Sequence, residues 1–403
     1  MQQILTEAKN LHMEHIEDNI LNGGVDGTRQ TINFLRELRD MLSGRTREKV
    51  NVSVKWDGAP SIFAGTDPRD GQFFVAKKSI FNKEPKIYKS VDEIDADLKG
   101  DLREKFVVAF RELQKIGIDG ILQGDLLYTR RDLRTGNIHG EKYLTFHPNT
   151  IVYAVPQRSD LAKQIRRSKI GVVWHTKYSG SDFESLRAQY NQSIVDQLKK
   201  DDDVWFTDAE YRDVSGLASM TGQETTELTL ILSELGKTFS TVDRKSFNFI
   251  SDNNDYLIRL KTFINSTIRE GEMIKDPAMF VDRFSEYVRR YYKNEMGKRK
   301  TIRGQQAVEV KYRAVMDNVD QDSLVKIMHM YNLVIAAKTM LINKLNSANG
   351  LGTFLLTNKG YQVTNQEGFV ASDRLGTTAV KLVDRLEFSY SNFSKDVIKG
   401  FER

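Results

Sequence analysis

The spacing of apolar residues changes character several times along the chain. Across residues 1–48 apolar positions recur at intervals of three and four, as in IEDNIL and TRQTINFLRELRDML, and this predicts helix. The glycines at 23–24 and Gly27 are expected to divide that helix in two. Over 49–90 the pattern shortens to the β-rich runs VNVSVKWDG, SIFAG and QFFVAKKSIF, with TDPRDG as a turn between the last two, which predicts an antiparallel meander. Helical spacing returns over 91–117, followed by the strand-like runs DGILQGDLLYT, YLTFHP, NTIVYAVP and KIGVVWHTKY. Residues 182–200 read as helix and VWFTDAEY at 204–211 as one more short strand.

From 212 to 346 the pattern is helical almost throughout, with amphipathic stretches such as MFVDRFSEYVRRYYKNEM and LVKIMHMYNLVIAAKTMLINKL. NSANGLG at 346–352 closes this block, and TFLLT, EGFVAS and TTAVKLVDR return to β. The expected organisation is α+β: an N-terminal helical segment (1–48), a first sheet portion (49–211), an all-α insertion (212–348) and a second sheet portion (349–403). A helical block that interrupts a β-rich one reads as an insertion into one sheet domain, so strands on its two sides should pair.

At 403 residues the chain can bury a sizeable core, and 39% apolar with 29% charged residues marks it as globular and water-soluble. No run approaches the roughly 20 apolar residues of a membrane span, and the start lacks a signal pattern, so a cytoplasmic protein without a membrane partner is expected. With no cysteine, disulfides, thiolate metal sites and cysteine nucleophiles are excluded. Six scattered histidines without an HExxH string argue against a zinc hydrolase. The cluster His12, Glu14, His15, Glu17 and Asp18 reads either as a metal site or, more simply, as a charged helix face. A net charge of +5 and a pI of about 9.0 favour a polyanionic partner.

Four short motifs carry candidate chemistry. Lys55-Trp56-Asp57-Gly58 ends an apolar strand. Gln123-Gly124-Asp125-Leu126 puts an acid inside an apolar run, where it needs a partner unless a β-bulge turns it to water. Glu367-Gly368-Phe369-Val370 and Val380-Lys381-Leu382 follow on later β-runs. Taken singly, each is compatible with an ordinary turn or an outward-facing edge residue.

Together and in this order they resemble the covalent nucleotidyltransferase superfamily, which holds ATP-dependent DNA ligases, RNA ligases and mRNA-capping enzymes. Lys55–Gly58 resembles its KxDG nucleophile motif, Phe73–Ser79 its strand ending in Ser-Arg, and Asp125 its next motif's acid. Ile151–Val155 resembles the strand that offers an aromatic face to the purine, which points to Tyr153. Glu367–Val370 resembles EGxV, and Lys381 the first lysine of the last motif. Lys78 stands where the family has arginine, Val383 replaces its second lysine, and Arg385 is the nearest substitute for that charge. Only 22 residues follow Lys381, too few for an OB fold, which favours an RNA-ligase-like enzyme. The chain is also similar to an uncharacterised family of tailed-bacteriophage proteins through LHMEHIEDNI, KWDGAPSIFAG, KKSIFNK, QGDLLYT and HPNTIVYAVP.

The nucleotidyltransferase resemblance implies a ligase-adenylation-type antiparallel core and an ATP-dependent polynucleotide ligase acting through lysyl-AMP on Lys55. Lys381 and Lys78 would supply neighbouring cations, Asp57 would orient the loop or a metal-bound water, Asp125 would hold the ribose hydroxyl or the nucleophile, and Glu367, with Asp125, would hold Mg²⁺. Gly58 and Gly368 would let the backbone approach the nucleotide. The alternatives are another covalent nucleotidyl transfer, such as capping, and a catalytically decayed nucleic-acid-binding protein. RNA or DNA ends as partner draw further support from Arg289, Arg290, Lys293, Lys298, Arg299, Lys300 and Arg303, interleaved with Tyr291 and Tyr292. ATP against GTP, and RNA against DNA, stay open.

Overall fold

A computed structural model describes residues 14–45, 51–138, 140–189, 194–210, 219–346, 352–372 and 379–402. In chain order the helices are α1 (Asp18–Leu42), α2 (Val91–Asp97), α3 (Gly100–Leu113), α4 (Asp160–Arg167), α5 (Gly222–Thr241), α6 (Arg244–Asp252), α7 (Asn254–Arg269), α8 (Pro277–Gly297), α9 (Ile302–Asn318), α10 (Gln321–Asn346) and α11 (Arg385–Phe393). The strands are β1 (Asn51–Lys55), β2 (Ser61–Thr66), β3 (Phe73–Ala76), β4 (Ile87–Tyr88), β5 (Ile121–Thr129), β6 (Arg134–Ile138), β7 (Glu141–Phe146) and β8 (Ile151–Pro156). They continue with β9 (Ile170–Ser179), β10 (Arg187–Gln189), β11 (Val204–Asp208), β12 (Gly352–Thr357), β13 (Gly360–Val363), β14 (Gly368–Ser372) and β15 (Ala379–Leu382).

The fold mixes helices with mainly antiparallel sheet. The described strands form three sheets. The largest runs β10-β9-β5-β2-β3-β4, with β11 added to β9 in parallel. Its alternating side chains fill two cores. Ile62, Ala64, Val75, Leu122 and Trp174 pack beneath α3 with Phe106 and Leu113, while Phe63, Phe74 and Tyr178 point the other way. A second sheet runs β13-β12-β8-β7-β6, and a third runs β1-β14-β15. Strands from the two sides of the helical block therefore pair twice, β1 with β14 and β8 with β12.

The first helix does not stand apart. Leu35 and Leu38 of α1 share one continuous core with Leu232 of α5, Phe284 of α8 and Tyr331 of α10, and Phe369 and Leu382 of the third sheet join it. The expected break in α1 is a kink at Gly24, whose φ of 51° suits glycine. Helix starts in the block follow local chemistry. Thr221 and Glu224 form a capping box on α5, and Asp276 caps α8 with Pro277 in its first turn. The chain from 91 to 116 folds as expected, as α2, α3 and a short 3₁₀ turn.

Three expectations need correction. β1 does not join β2 in a meander; it leaves for the third sheet. The strand expected through Ser79 stops at Ala76, and Lys78 opens a 3₁₀ turn. The helix expected over 182–200 is not formed in its described part: Asp182 and Ser185 close a turn through side-chain bonds, and Arg187–Gln189 pairs with β9. Residues 190–193, 211–218 and 347–351 of the expected elements lie outside the described residues. Among the described helices, only α10 has the length and apolarity to cross a membrane, and its apolar side is core, with Met328, Val334 and Leu341 fully buried.

Candidate functional site

The third sheet shows how two lysines distant in sequence come together. In β1, Val52 and Val54 face the helical core, so Ser53 and Lys55 face the opposite way. The register aligns Ser53 with Val370 and Val370 with Lys381, and Lys55 with Gly368. Lys381 therefore lies on the same face as Lys55, one strand beyond the intervening β14. The segment 14–16 bonds along the far edge of β15: Lys381 N–H donates to the Glu14 carbonyl at 3.0 Å, and Ile16 N–H to the Lys381 carbonyl at 3.3 Å.

Lys55 is a quarter exposed and forms an ion pair with Glu367, whose side chain is only 9% exposed. Burial pushes the Glu367 carboxyl above the usual range, with Lys55 opposing and Asp57 adding to the rise. Burial also pulls the Lys381 ammonium below its ordinary value, and the charges of Lys55 and Lys78 pull it further down while Glu367 and Glu14 oppose. Lys78 is exposed but close enough for its charge to act on Lys381.

Asp57 serves the loop. Its carboxylate accepts hydrogen bonds from Asn149 Nδ2 at 2.7 Å, from Thr150 N–H at 2.7 Å and Oγ1 at 2.6 Å, and from Ile151 N–H at 2.7 Å. With four donors and 4% exposure it fastens the loop after β1 to the start of β8. Gly58 is required by closeness: a Cβ there would lie 2.5 Å from the Asp125 Cβ. At Gly368, φ is 147° and a Cβ would lie 2.5 Å from the Leu382 carbonyl oxygen.

Asp125 enters from β5 beside these groups. Burial pushes its carboxyl up to about 7; Lys55 opposes the rise, and Glu367 and Asp57 add to it. Next to it is a residue that the motifs did not indicate. His175 Nε2 lies 3.9 Å from Asp125 Oδ2. The β5–β9 register slips between Gln123 and Gly124, so His175 is the extra residue of a β-bulge. Gly124 permits that geometry, since a Cβ there would lie 2.4 Å from the Val173 carbonyl oxygen. Burial, then the charge of Lys55, lowers the His175 imidazole to about 4.

Tyr153 is not available to stack on a base. Its ring is fully buried, stacked on Phe146 at 5.4 Å and covered by Trp56 at 5.1 Å. Its hydroxyl accepts the Asp57 N–H at 2.7 Å. The half-buried ring next to Lys55 in the chain is Trp56. Arg385 does not restore the missing charge beside Lys381 either. It opens α11 and bonds Asp18 at 3.2 Å and Tyr331 at 2.5 Å within the helical core. In the N-terminal cluster, Glu17 pairs with Lys338 and Asp18 with Arg385, while burial and nearby cations, Lys338 foremost, hold His15 down at about 2. Among the described residues no metal cluster forms there, and His12 lies outside them.

A family profile with the description "Family of unknown function (DUF6267)" matches residues 10–397. The chain belongs to the DUF6267 family. No curated protein and no solved structure matches it. The DUF6267 match spans β1, the helical block and β15, so all of the site residues fall within the family region.

The donor set suits a hard cation. Glu367 and Asp125 each feel the charge of Lys55. Mg²⁺ uses one or two protein carboxylates and takes its other ligands from phosphates and water. Among the described residues no three His, Asp or Glu side chains converge as a metal cluster.

Of the cations between 289 and 303, in α8 and at the start of α9, Lys298 and Arg299 pair with Glu295 at 2.6 and 3.3 Å, and Arg289, Arg290, Lys293, Lys300 and Arg303 are exposed. The neighbouring tyrosines do not offer free faces. Tyr292 is buried, and the Arg259 guanidinium lies 3.3 Å over the Tyr291 ring.

Proposed function

We propose that this chain is a covalent nucleotidyltransferase of the polynucleotide-ligase type, with Lys55 as the nucleotide acceptor. The observation that carries the reading is the convergence of Lys55, Lys381 and Asp125 from three strands with Glu367, which immediately precedes a fourth, across most of the chain. A solvated turn lysine has no need of such a setting. In the proposed first step Lys55 Nζ attacks the α-phosphorus of ATP. An N–P bond forms, the bond to the bridging oxygen breaks, and pyrophosphate leaves with the electron pair. The ammonium must first lose a proton, and Asp125, with its carboxyl up to about 7, is suited to receive it near neutral pH.

Lys381 and Lys78 are cations beside the developing phosphoryl charge. Glu367 keeps Lys55 aligned and would hold Mg²⁺. That ion, when bound, neutralises phosphate oxygens. Trp56 takes the aromatic role first expected of Tyr153. In the later steps the nucleotide passes from Lys55 to a 5′-phosphate end, and a 3′-hydroxyl displaces it.

The test is incubation of the full chain with α-labelled ATP, and in parallel GTP, with Mg²⁺. Wild type should form an acid-labile, base-stable protein adduct. Lys55→Ala and Lys55→Arg should lose it, because a guanidinium stays protonated. Labelling of Lys55→Ala at the wild-type level would overturn the assignment. No adduct from either nucleotide would favour the decayed, binding-only alternative. A panel of RNA and DNA ends then identifies the acceptor.

A further inference from the structure

The far end of β5 carries a basic surface that the proposed chemistry does not use. Between 130 and 169, nine lysines and arginines stand against only Asp132, Glu141 and Asp160. Bonds to backbone carbonyls draw these cations together. In the 3₁₀ turn Arg130–Asp132, the Arg130 guanidinium donates to the Ser168 carbonyl at 3.3 Å and to the Arg167 carbonyl, at the end of α4. Arg166 donates to the Gln157 carbonyl at 3.3 Å, and Gln157 N–H donates to the Lys142 carbonyl of β7 at 3.0 Å. Arg134, which opens β6, donates back to the Leu133 carbonyl at 2.9 Å. The turn after β5, helix α4 and the β6–β7 hairpin therefore adjoin one another.

The acidic partners decide which charges remain. Arg131 pairs with Glu104, Lys163 with Asp160, Arg167 with Asp202, and Lys169 with Glu112 and Asp203. Asp132 is engaged by Thr129, and Glu141 accepts from the Tyr143 hydroxyl. Arg130, Arg134, Lys142, Arg158 and Arg166 are exposed and have no carboxylate partner among the described residues. For three of these arginines a neutral carbonyl fixes the guanidinium and leaves its charge uncompensated.

Fixed cations of this kind complement a polyanion whose own charges are fixed. The phosphates of a double helix form such an array, and guanidinium groups bind them directly. No large apolar or aromatic side chain is exposed between 130 and 169 among the described residues. The surface thus offers no ring on which unpaired bases stack and no apolar face that enters a lipid layer. Its position fits as well. Asp125 and Thr129 lie on the same strand, about 13 Å apart at roughly 3.3 Å per residue.

We infer that this surface binds the phosphate backbone of a double-helical polynucleotide whose reacting end lies toward Lys55. The inference deepens the ligase reading and rests on it for the placement of that end. The grip itself is independent of base sequence.

The experiment is a fluorescence-anisotropy titration of the full chain with a labelled DNA duplex, the matching RNA duplex and one DNA strand alone, across a salt series. The variant is Lys142→Glu with Arg158→Glu, because neither side chain makes a bond among the described residues and both are exposed. It should bind duplex about tenfold more weakly at about 0.1 M salt, with the slope of log affinity against log salt flatter by about 2, at roughly 0.9 for each phosphate. The loss on the single strand should stay below about twofold, because a flexible strand that cannot stack here gains little from this surface. Labelling with α-labelled ATP is followed in parallel and should be the same in variant and wild type. The expected duplex result without any labelling of wild type would overturn the Lys55 assignment and leave the binding surface standing. Unchanged duplex affinity in the variant, or an equal loss on duplex and single strand, would overturn the inference. So would the absence of duplex binding by wild type, and if phosphatidylserine vesicles then bound wild type but not the variant, the surface would be one for membranes instead.

Discussion

Asp125 and His175 lie 3.9 Å apart, yet they do not form an ion pair near neutral pH. The imidazole, held down at about 4, is neutral there, while the Asp125 carboxyl, pushed up to about 7, is partly protonated. The stability consequence has a definite sign. A carboxyl raised from 3.8 to about 7 on folding takes up a proton when the chain folds between those values. Stability from this group is then greatest at low pH, falls as pH rises through that window, and levels off above 7. Asp125→Asn removes the term. Urea midpoints at pH 5 and pH 8 should show the variant gaining on wild type at the higher pH. A gap that is the same at both pH values would mean that Asp125 ionises normally. His175 shows why a site residue escapes sequence reading: in VVWHTKY it is one polar residue in an apolar strand, and only the bulge aims it at Asp125. Tyr153 escapes for a related reason. Ile151–Val155 is buried on both faces, so no alternation indicates which way the ring points.

Helix α1 turns on two glycines with opposite tolerances. At Gly27 a Cβ would lie 2.1 Å from the Asn19 carbonyl oxygen, because the kink at Gly24 folds the first turn back over it. At Gly23, exposed on the same helix, a Cβ would meet nothing within 4 Å. Gly27→Ala should therefore destabilise by about 2 kcal/mol or more, whereas Gly23→Ala should be neutral or stabilise by up to about 1 kcal/mol. Chemical denaturation of the two variants checks this, and equal effects would refute the kinked geometry. Elements of this kind were legible as far as their signals are local. The helical period, the glycine break and the capping residues all lie within a few positions of what they control. The segment from 182 failed because its helical spacing competed with a local Asp182–Ser185 turn and with Phe183 and Leu186 packing beside Phe74. The pairing of β1 with β14 rather than β2 joins strands more than 300 residues apart, which no local pattern encodes. KWDG, EGFV and VKL were legible because each is a short local string. What joins them is the register of the third sheet.

At the scale of the whole molecule, the third sheet lies between two chemically different bodies. One of its faces completes the helical core through Phe369 and Leu382, and the other presents Lys55 and Lys381. The helical block thus supports the candidate site and also carries a dense run of exposed cations. Between 286 and 303, seven lysines and arginines oppose only Glu286 and Glu295. Glu295 is already engaged by Lys298 and Arg299, so the surplus is positive and faces solvent. Such a surface attracts phosphates by releasing counterions, which makes binding fall with salt. The buried Tyr292 and the covered Tyr291 rule out base stacking as the main grip, so the contribution should be electrostatic and insensitive to sequence. Reversing Lys298, Arg299 and Lys300 to glutamate should weaken single-stranded RNA binding. It should also flatten the slope of log affinity against log salt by about 2, at roughly 0.7 for each phosphate that is no longer neutralised. The self-labelling proposed for Lys55 would require no polynucleotide, so it should continue at the wild-type rate in the triple variant. Binding across a salt series, with labelling followed in parallel, separates the two. Equal affinities and equal slopes would show that the polynucleotide is gripped elsewhere, and a parallel loss of labelling would show that the charge reversal had disturbed the core that supports the third sheet.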